Sequence, residues 1–382
     1  MALKIALVSP YDLAYPGGVT SHIAALGSEL GRRGHSVKIL APSSGPQHRI
    51  DGVKVLTFGR SIPFPTAGSV ARISVGLWQE PKLKATMQRE RFDVVHIHEP
   101  LMPVFSLMAL FLSQSMNIGT FHAFSESGAH GYRFARGVLR KTAERLHGRI
   151  AVSEAARSFV SGYIPGEYVV IPNGIDVGYF SRPSPRPAAM SQDHINLLFV
   201  GRIAEKRKGL RFLLAAYSTL KWEYPNMRLI VVGPGIPDAD SYRLIGERNI
   251  QDVVFVGQVP RSELPGYYQH ADVFCSPATG KESFGFVLVE AMAASCPVVA
   301  TNIQGYAGVI GADEDGLLVP PKDEKSLAAA IRRVVEDKTL RKRLVANARK
   351  SVENYDWSAV ASRVLDHYSA VAAGRSPAAA TA

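Results

Sequence analysis

Residues 271–301, ADVFCSPATGKESFGFVLVEAMAASCPVVAT, contain a strand, a loop, a helix and a second strand in succession. The apolar runs at the two ends, ADVFCSPA and PVVAT, have the length and composition of buried parallel strands. Between them, Gly280, Ser283 and Gly285 mark a loop, and a helix is expected to begin at about Phe286. The stretch therefore predicts a β-α-β unit, the building block of a parallel α/β sheet.

Two glutamates interrupt this apolar stretch, Glu282 before the expected helix and Glu290 in its early turns. Ligands of open α/β sheets bind outside the carboxyl ends of the strands, which is where Glu282 falls. The alternative is structural, with Glu290 as a charge favoured by the helix dipole and Glu282 as a solvated loop residue. A pair of acids on one strand-to-helix corner favours a ligand-binding role.

Short aliphatic strands alternate with amphipathic helices along the rest of the chain, the pattern of parallel strands joined by crossover helices. The predicted strands are KIALVSP, HSVKILAP, GVKVLTF, DVVHIHE, NIGTFHA, GRIAVSE and YVVIPNG in the first half, and INLLFVGRI, RLIVVGPG, VVFVGQV, ADVFCSPA, PVVAT and GLLVP in the second. A chain of 382 residues exceeds what one hydrophobic core organises. We therefore predict two doubly wound α/β domains in tandem.

A segment rich in proline and small polar residues, SRPSPRPAAMSQDH, predicts a linker near residues 181–194. It divides the chain into predicted domains of residues 1–181 and 182–356. A last helix is expected from Trp357 over residues 357–374, and residues 375–382 are expected to form a flexible tail.

Composition narrows the class of protein. Hydrophobic residues make up 46% and charged residues 20%, which is typical of a globular protein and excludes a disordered chain. Cys275 and Cys296 both lie in apolar surroundings, so a reducing, cytoplasmic compartment is expected. The N-terminus lacks the apolar core of a signal peptide. A membrane-spanning helix needs about 20 consecutive apolar residues, and no stretch of the sequence has that many.

The net charge is +11 and is concentrated in the first half, where residues 1–172 hold 19 Lys and Arg against 11 Asp and Glu. Nucleic acid, an anionic membrane and a phosphorylated substrate are the partners that such a surplus attracts. The charge alone does not choose among them.

Gly17 and Gly18 lie at the turn between the first strand and the first helix, in PYDLAYPGGVTSHI. Adjacent glycines let backbone N–H groups approach an anion, and the helix N-terminus adds a favourable partial charge. A phosphate site is one interpretation and a tight β-to-α turn is the other. No third glycine completes a dinucleotide fingerprint here or in GPGIP, so an NAD enzyme is disfavoured.

A basic cluster follows the first strand of the second half, in GRIAEKRKGL. Its members are Arg202, Lys206, Arg207 and Lys208. Arg and Lys at the carboxyl end of a parallel strand are suited to hold a diphosphate. A solvated charge run is the alternative, and the position at the strand end favours the diphosphate.

Three histidines follow or end strands, His96 and His98 in DVVHIHEP and His122 in GTFHAF. Histidines at i and i+2 share one face of a strand, so a metal site is conceivable, but no cysteine and few carboxylates accompany them. The sequence therefore favours no metal. His96 is expected to be packed or hydrogen-bonded, whereas His122 is expected to face a cleft as a donor or proton relay.

Together, these motifs resemble the family-4 retaining glycosyltransferases. The resemblance rests on the Gly17-Gly18 loop, HxHEP, TFH, IPNGID, GR followed by RKG and, above all, ESFGFVLVE, and it covers roughly residues 3–370. Within the family, PYDLAYPGGVTSHI, GSVAR and YDW are similar to the actinobacterial phosphatidylinositol mannosyltransferases, which use GDP-mannose. The resemblance implies the α/β fold called GT-B, two Rossmann-like domains facing each other across a deep cleft, with the C-terminal helix returning to the first.

On the donor side, the resemblance assigns roles to individual residues. Arg202 and Lys208 would neutralise the departing diphosphate, and the Gly17-Gly18 turn would contact its β-phosphate. Glu282 would bind hydroxyls of the transferred sugar. The Phe284 and Gly285 backbone amides would lie near that sugar, and Glu290 would bind the ribose. No metal or cofactor beyond the nucleotide-sugar is implied.

On the acceptor side, Tyr11 and Arg72 match positions that line the acceptor pocket, and His122 would hydrogen-bond the sugar or the acceptor. The implied catalytic set is His122, Arg202, Lys208 and Glu282. After His122 the chain reads AFSES where those mannosyltransferases carry TSTTK, so Ser127 replaces a lysine expected to meet the acceptor's phosphate. Leu101 likewise stands after HEP instead of asparagine.

The expected function is a retaining transfer of a sugar, mannose from GDP-mannose, to a phosphatidylinositol-type or other lipid or polyol acceptor at the cytosolic membrane face. Basic residues of the first half, Lys82, Lys84, Arg89, Arg91 or the segment 133–149, would rest on anionic lipid or else form solvated helix faces. Alternatives are another GT-B enzyme such as a sugar-nucleotide epimerase, or a family-4 transferase using a UDP-sugar and a soluble acceptor. A basic nucleic-acid-binding module ranks last, because no recognition motif is present.

Overall fold

The structure, a computed structural model, describes residues 2–15, 17–45, 50–66, 69–124 and 135–374. The chain forms two compact units, Met1–Gly174 together with Trp357–Ala382, and Ile175–Asp356. The first division thus falls after Gly174 and not after residue 181 as predicted, because Ile175, Phe180 and Met190 pack into the core of the second unit. The predicted linker at 181–194 belongs to that unit, and the predicted flexible tail, residues 375–382, lies outside the described residues.

The first unit is built on a parallel sheet with the strand order β3-β2-β1-β6-β7-β8-β9. Its strands are β1 (Lys4–Val8), β2 (Ser36–Ala41), β3 (Lys54–Thr57), β6 (Val94–His98), β7 (Met116–Phe121), β8 (Gly148–Ala151) and β9 (Val169–Val170). An antiparallel pair, β4 (Ile62–Thr66) and β5 (Ser69–Ile73), forms a separate hairpin. Each predicted strand of the first half is present in the sheet.

Helices connect these strands, as the alternating pattern predicts. They are α1 (Gly18–Arg32), α2 (Glu80–Glu90), α3 (Phe105–Leu112), α4 (Arg136–Ala143) and α5 (Glu154–Ser161), and a short 3₁₀ turn, Leu77–Gln79, precedes α2. The chain's last helix, Trp357–Ala372, also belongs to this unit. Its apolar face, with Val360, Val364 and Tyr368, packs in the core formed by β1 and α1, which accounts for the predicted return of the C-terminal helix.

The second unit has a parallel sheet with the order β12-β11-β10-β13-β14-β15. The strands are β10 (Ile195–Val200), β11 (Met227–Val232), β12 (Val253–Gly257), β13 (Val273–Ser276), β14 (Val298–Thr301) and β15 (Leu317–Val319). Its α-helices are α6 (Val177–Ser181), α7 (Leu210–Glu223), α8 (Ala239–Glu247), α9 (Leu264–Gln269), α10 (Phe286–Ala293), α11 (Gln304–Ala307), α12 (Glu324–Glu336) and α13 (Lys338–Val352), and the last helix of the chain, in the first unit, is α14.

Strand order in this sheet reverses at β10, which pairs with β11 on one side and β13 on the other. Such a switch point opens a crevice at the carboxyl ends of the strands, where ligands of doubly wound sheets bind. The loops that follow β10 and β13 carry the basic cluster and Glu282. Among the described helices, none is long and apolar enough to cross a bilayer.

Candidate active site

The loop after β10 reaches the loop after β13 through a glycine that no other residue could replace without strain. Gly209 has a φ of 77°, and a Cβ built there would lie 1.9 Å from the carbonyl oxygen of Pro277. The backbone N–H of Thr279 donates to the carbonyl oxygen of Arg207 over 2.8 Å, which ties the two loops together. The RKG motif is therefore fixed against the loop that carries Glu282.

Glu282 lies within this pair of loops and is the centre of an ion-pair network. Its Oε1 lies 2.7 Å from Nζ of Lys208, and Nη1 of Arg207 donates to the same oxygen. The Glu282 side chain is 14% exposed, so both ion pairs are largely removed from bulk water and are weakly screened. Gly305 of α11 packs against the backbone, since a Cβ there would lie 2.1 Å from the Glu282 carbonyl oxygen.

A second carboxylate, Glu205, lies on the other side of Arg207. Its Oε2 lies 2.6 Å from Nη2 of Arg207, and its Oε1 lies 2.7 Å from Nη1 of Arg202, whose side chain is half exposed. Lys206 points elsewhere and pairs with Asp240 at 3.1 Å. The described corner thus holds three cations, Arg202, Arg207 and Lys208, against two carboxylates, an arrangement that offers positive charge to a diphosphate.

Glu290 lies in the second turn of α10, which begins at Phe286 as predicted. Its Oε2 accepts a hydrogen bond from the Tyr268 hydroxyl over 3.0 Å. Burial raises the pKa of Glu290 to about 7, and the Tyr268 hydroxyl partly offsets that rise. The carboxyl group therefore changes its charge near neutral pH.

Phe284 and Gly285 lead directly into α10. Phe284 is buried in the core of the unit, and Gly285 has a φ of 99° and precedes the first helical residue. A Cβ at Gly285 would lie 2.8 Å from the Tyr306 ring, so the turn needs glycine for space as well as for its φ. The peptide N–H groups of this turn lie at the positive end of a helix dipole, where an oxygen-rich ligand is favoured.

In the first unit, Gly17 and Gly18 are exposed at the start of α1. The backbone N–H of Gly17 donates to Oγ1 of Thr20, and the Thr20 hydroxyl donates to the Gly17 carbonyl oxygen. Gly17 has an extended φ of −157°, so its value at this position is the missing side chain and not an unusual backbone angle. Because Gly17 and Gly18 are both exposed and have no side chains, an anion could approach the N-terminus of α1 there.

Tyr11 and Arg72 are brought together by a bridge between Tyr11 and Ile73, and the Asp12 N–H donates to the Arg72 carbonyl oxygen. The guanidinium of Arg72 lies 3.8 Å from the centre of the Tyr15 ring. Burial, together with the carboxylate of Glu99, raises the pKa of the Tyr11 hydroxyl, so it remains a neutral hydrogen-bond donor.

His122 follows β7 and is held from two sides. Its backbone N–H and that of Ala123 donate to Oε1 of Glu99 over 2.6 and 2.7 Å. Its Nε2 lies 3.0 Å from Nδ1 of His98. Burial lowers the pKa of His122 well below the usual imidazole value, and the neighbouring His22 and His96 act in the same direction. The ring is therefore a neutral donor or acceptor and not a cation.

His96 is packed and hydrogen-bonded, as the sequence predicts. It lies 2.7 Å from the Tyr368 hydroxyl and 2.6 Å from Oγ1 of Thr120. Leu101, the departure after HEP, is a buried core residue next to β6. The other departure, Ser127, lies outside the described residues.

Sequence reasoning missed three groups that the structure places beside the predicted ones. Arg207 was grouped with the basic cluster but given no contact with Glu282, and Glu205 was given no role. His22, on α1, lies with its ring centre 5.0 Å from that of His122. The position of His22 one turn after Gly18 was the available signal, because it points from the same end of the helix.

Comparison with known proteins agrees with this architecture. The Glycosyltransferase Family 4 model matches residues 16–179, and the Glycosyl transferases group 1 model matches residues 184–351. A phosphatidyl-myo-inositol mannosyltransferase of Mycolicibacterium smegmatis is 37% identical over 369 residues, 97% of this chain and 94% of that protein. One of Mycobacterium tuberculosis is 38% identical over 378 residues, 97% of each chain.

Solved structures share the fold. A sucrose-phosphate synthase from Thermosynechococcus elongatus gives a TM-score of 0.73 at 24% identity, covering 97% of this chain and 100% of that one. An Anabaena protein, HepE in complex with UDP, gives 0.76 at 20% identity with the same coverage.

Two parallel-sheet α/β units, with cations and carboxylates at the switch point of the second, define a glycosyltransferase of the GT-B fold. The two family models and the relatives that match over nearly the full length of the chain narrow this class to one family. The chain belongs to glycosyltransferase family 4. This membership decides against a sugar-nucleotide epimerase.

Proposed function

We propose that this glycosyltransferase transfers mannose from GDP-mannose to a phosphatidylinositol-type lipid, with retention of the anomeric configuration. The names of relatives at 37% and 38% identity support the sugar and the acceptor. The observation that carries the proposal is the contact of Lys208 with Glu282, because a cation suited to a diphosphate and a carboxylate suited to sugar hydroxyls lie side by side.

In the proposed reaction, the bond between the anomeric carbon and the diphosphate oxygen breaks, and the acceptor oxygen bonds to the same carbon. The acceptor's proton passes to the departing phosphate. Negative charge therefore grows on the diphosphate oxygens, and preorganised cations lower the barrier by stabilising it. Arg202 and Lys208 supply these cations.

Carboxylates of the second unit would bind the polar parts of the donor. Glu282 accepts hydrogen bonds from hydroxyls of the transferred sugar, near the amides of Phe284 and Gly285. Glu290 accepts from the ribose hydroxyls. Both roles need ionised carboxylates. Arg207 and Lys208 both lie at hydrogen-bond distance from Glu282.

The acceptor would be bound by groups of the first unit. Tyr11 and Arg72 adjoin each other there, and Arg72 offers a guanidinium suited to a phosphate. His122 is buried and neutral, so it would donate or accept a hydrogen bond and would not act as a cation. No metal is required by these roles.

Association with the cytosolic face of a membrane is part of the proposal. Leu77 and Trp78, which are 71% and 76% exposed, precede α2, and Lys84 and Arg91 are exposed on and after that helix. Aromatic and aliphatic side chains next to Lys and Arg are the composition of a segment that lies in the interface of an anionic bilayer. This segment, residues 77–91, would hold the enzyme at its lipid acceptor.

A panel of nucleotide-sugars tests the donor. GDP-mannose is expected to raise the melting temperature more than UDP-glucose or ADP-glucose, because a ligand stabilises the folded protein more the more tightly it binds. The preferred donor is then incubated with phosphatidylinositol vesicles and, separately, with free inositol. Transfer to the lipid supports the proposal, whereas transfer only to a soluble acceptor, or preference for a UDP-sugar, contradicts it.

A further inference from the structure

A cluster of three histidines in the first unit has the composition and spacing of a metal site. The cluster contains His22 of α1, His98 at the end of β6 and His122 after β7. One ring nitrogen of each lies within 4.8 Å of the other two. From these contacts, we propose that His22, His98 and His122 bind a divalent transition-metal ion, Zn²⁺ in the first place, at the edge of the sheet where His122 acts.

The spacing of the rings fits such an ion. Two nitrogens on a tetrahedral Zn²⁺ lie about 3.3 Å apart, given Zn–N bonds of about 2.0–2.1 Å. His98 Nδ1 and His122 Nε2 are already 3.0 Å apart. The ligand nitrogen of His22 lies within 4.8 Å of the other two, so it would have to move closer by up to about 1.5 Å to reach this geometry.

Unsatisfied ring nitrogens give a second, independent indication. Within the described part of the chain, Nδ1 of His22 and Nε2 of His98 are buried and have no hydrogen-bond partner. His22 is 5% exposed and His98 is fully buried. Buried polar atoms without a partner are costly, and an ion bound to Nδ1 of His22 would relieve that cost at this atom. Nε2 of His98 is not the nitrogen that lies near His122, so it would gain nothing from the ion.

Neighbouring groups hold the rings in place. Trp357 packs edge-on against His22 with ring centres 5.1 Å apart, and His96 stacks on His98 with ring centres 4.5 Å apart. Asn173, itself buried, interacts through its side chain with both His22 and His122. Metal-binding histidines in proteins are likewise oriented by neighbouring groups that do not themselves contact the ion.

The donor set selects the class of metal. Imidazole nitrogens suit Zn²⁺, Cu²⁺ and Ni²⁺, whereas Mg²⁺ and Ca²⁺ prefer oxygen ligands. Burial raises the pKa of the Glu99 carboxyl, which accepts from the backbone N–H of His122, to about 7. A divalent cation nearby would favour its ionised form and so gain a negative charge in the same region. Without such a charge, a divalent ion in a buried site would be costly.

A bound ion would act as an inhibitor, and this consequence rests on the proposed function. Nε2 of His122 lies 3.0 Å from Nδ1 of His98, and with the ion bound between them the His122 ring could no longer exchange this contact for one with the sugar or the acceptor. Zn²⁺ is therefore expected to slow transfer and a chelator to restore it.

Direct metal binding tests the site without reference to activity. Tag-free, chelator-treated protein is titrated with Zn²⁺ in a calorimeter, as wild type and as His22→Gln and His98→Gln, with His194→Gln of the second unit as the control. One site per chain is expected, weakened by about tenfold or more in the two cluster variants, since even a disturbed outer-shell partner costs about 10–100-fold. The His194→Gln protein should bind like wild type.

X-ray absorption of the Zn²⁺-loaded wild type keeps the test independent of variant folding, because it reports the ligands directly. Nitrogen ligands at about 2.0–2.1 Å are expected. The proposal would be overturned if the wild type had no stoichiometric Zn²⁺ site or if the ion had only oxygen ligands. It would also be overturned if both cluster variants bound Zn²⁺ as tightly as the wild type. If Zn²⁺ binds to the cluster while no sugar transfer is found with any donor, the proposed function fails and the metal site stands.

Discussion

Nζ of Lys208 lies 2.7 Å from Oε1 of Glu282, although the two residues follow different strands of the second sheet. Arg207 contacts the same carboxylate, so two cations surround one acid. Glu282 thus compensates the positive charges of Arg207 and Lys208, the charges that a diphosphate would compensate when bound. In the proposed donor site, the cations that pair with Glu282 would also meet the departing diphosphate.

Removal of the cation should slow transfer. Lys208→Ala takes away a charge that faces the departing diphosphate, and kcat/KM is expected to fall by about 100-fold or more, as for loss of one preorganised donor. Lys206→Ala is the matched control, since Lys206 pairs with Asp240 instead. Steady-state kinetics measure kcat/KM for both variants. If the Lys208→Ala and Lys206→Ala proteins had equal kcat/KM, Lys208 would have no role in the site.

Loss of Glu205 should tighten the binding of nucleoside diphosphate. Glu205 holds Arg202 and Arg207, and a bound diphosphate has to compete with it for both. Because Arg202 is half exposed and well screened, the expected gain for Glu205→Gln is modest, about threefold. Calorimetry with GDP at low and high salt measures it, and the gain should shrink in salt. Weaker binding by the variant would show that Glu205 positions the arginines and does not compete with the ligand.

The affinity for the donor should depend on pH through Glu290. Its pKa is raised to about 7, so below that pH the free protein carries the neutral acid. Ribose hydroxyls donate to the ionised form, so binding is expected to strengthen as the pH rises from 6 to 8, by about tenfold at most. A nucleotide-sugar is the suitable ligand, since its diphosphate does not titrate in this range.

Glu290→Gln provides the control for that measurement. The amide has nearly the same shape and does not titrate, so its dissociation constant should be flat between pH 6 and 8. A slope as steep as that of the wild type would place the titrating group elsewhere.

Vesicle binding should depend on the segment 77–91. Trp78→Ala and Lys84→Ala are each expected to weaken binding to phosphatidylinositol-containing vesicles, the lysine change by about 1 kcal/mol. Trp222→Ala is the control, because Trp222 is 86% exposed but lies in the second unit. Co-sedimentation at two salt concentrations separates the two effects, and only the lysine contribution should fade in salt. Equal losses for Trp78→Ala and Trp222→Ala would contradict a specific membrane-facing segment.

The order of strands and helices was predictable because each element has its own apolar pattern. The runs KIALVSP and INLLFVGRI are short, continuous and aliphatic, as buried parallel strands must be, and they form β1 and β10. The start of α10 was predictable from Gly280 and Gly285, because glycines at such a turn supply the backbone angles that other residues avoid. The boundary between units was placed too late, since the proline-rich segment looks like a linker but packs on the second core.

By itself, the sequence determined the α/β class, the residues at the strand ends and the family, because these depend on local pattern and motif. The tertiary structure decided which side chains meet. It placed Arg207 and Glu205 around the predicted Glu282 and Lys208 site, and it brought His22 from α1 to His98 and His122. The contact of Arg207 with Glu282 and those among the three histidines join residues that are far apart in the chain, whereas Glu205 contacts its near neighbours Arg202 and Arg207. Their distances depend on how the strands and helices pack, and no local pattern records that.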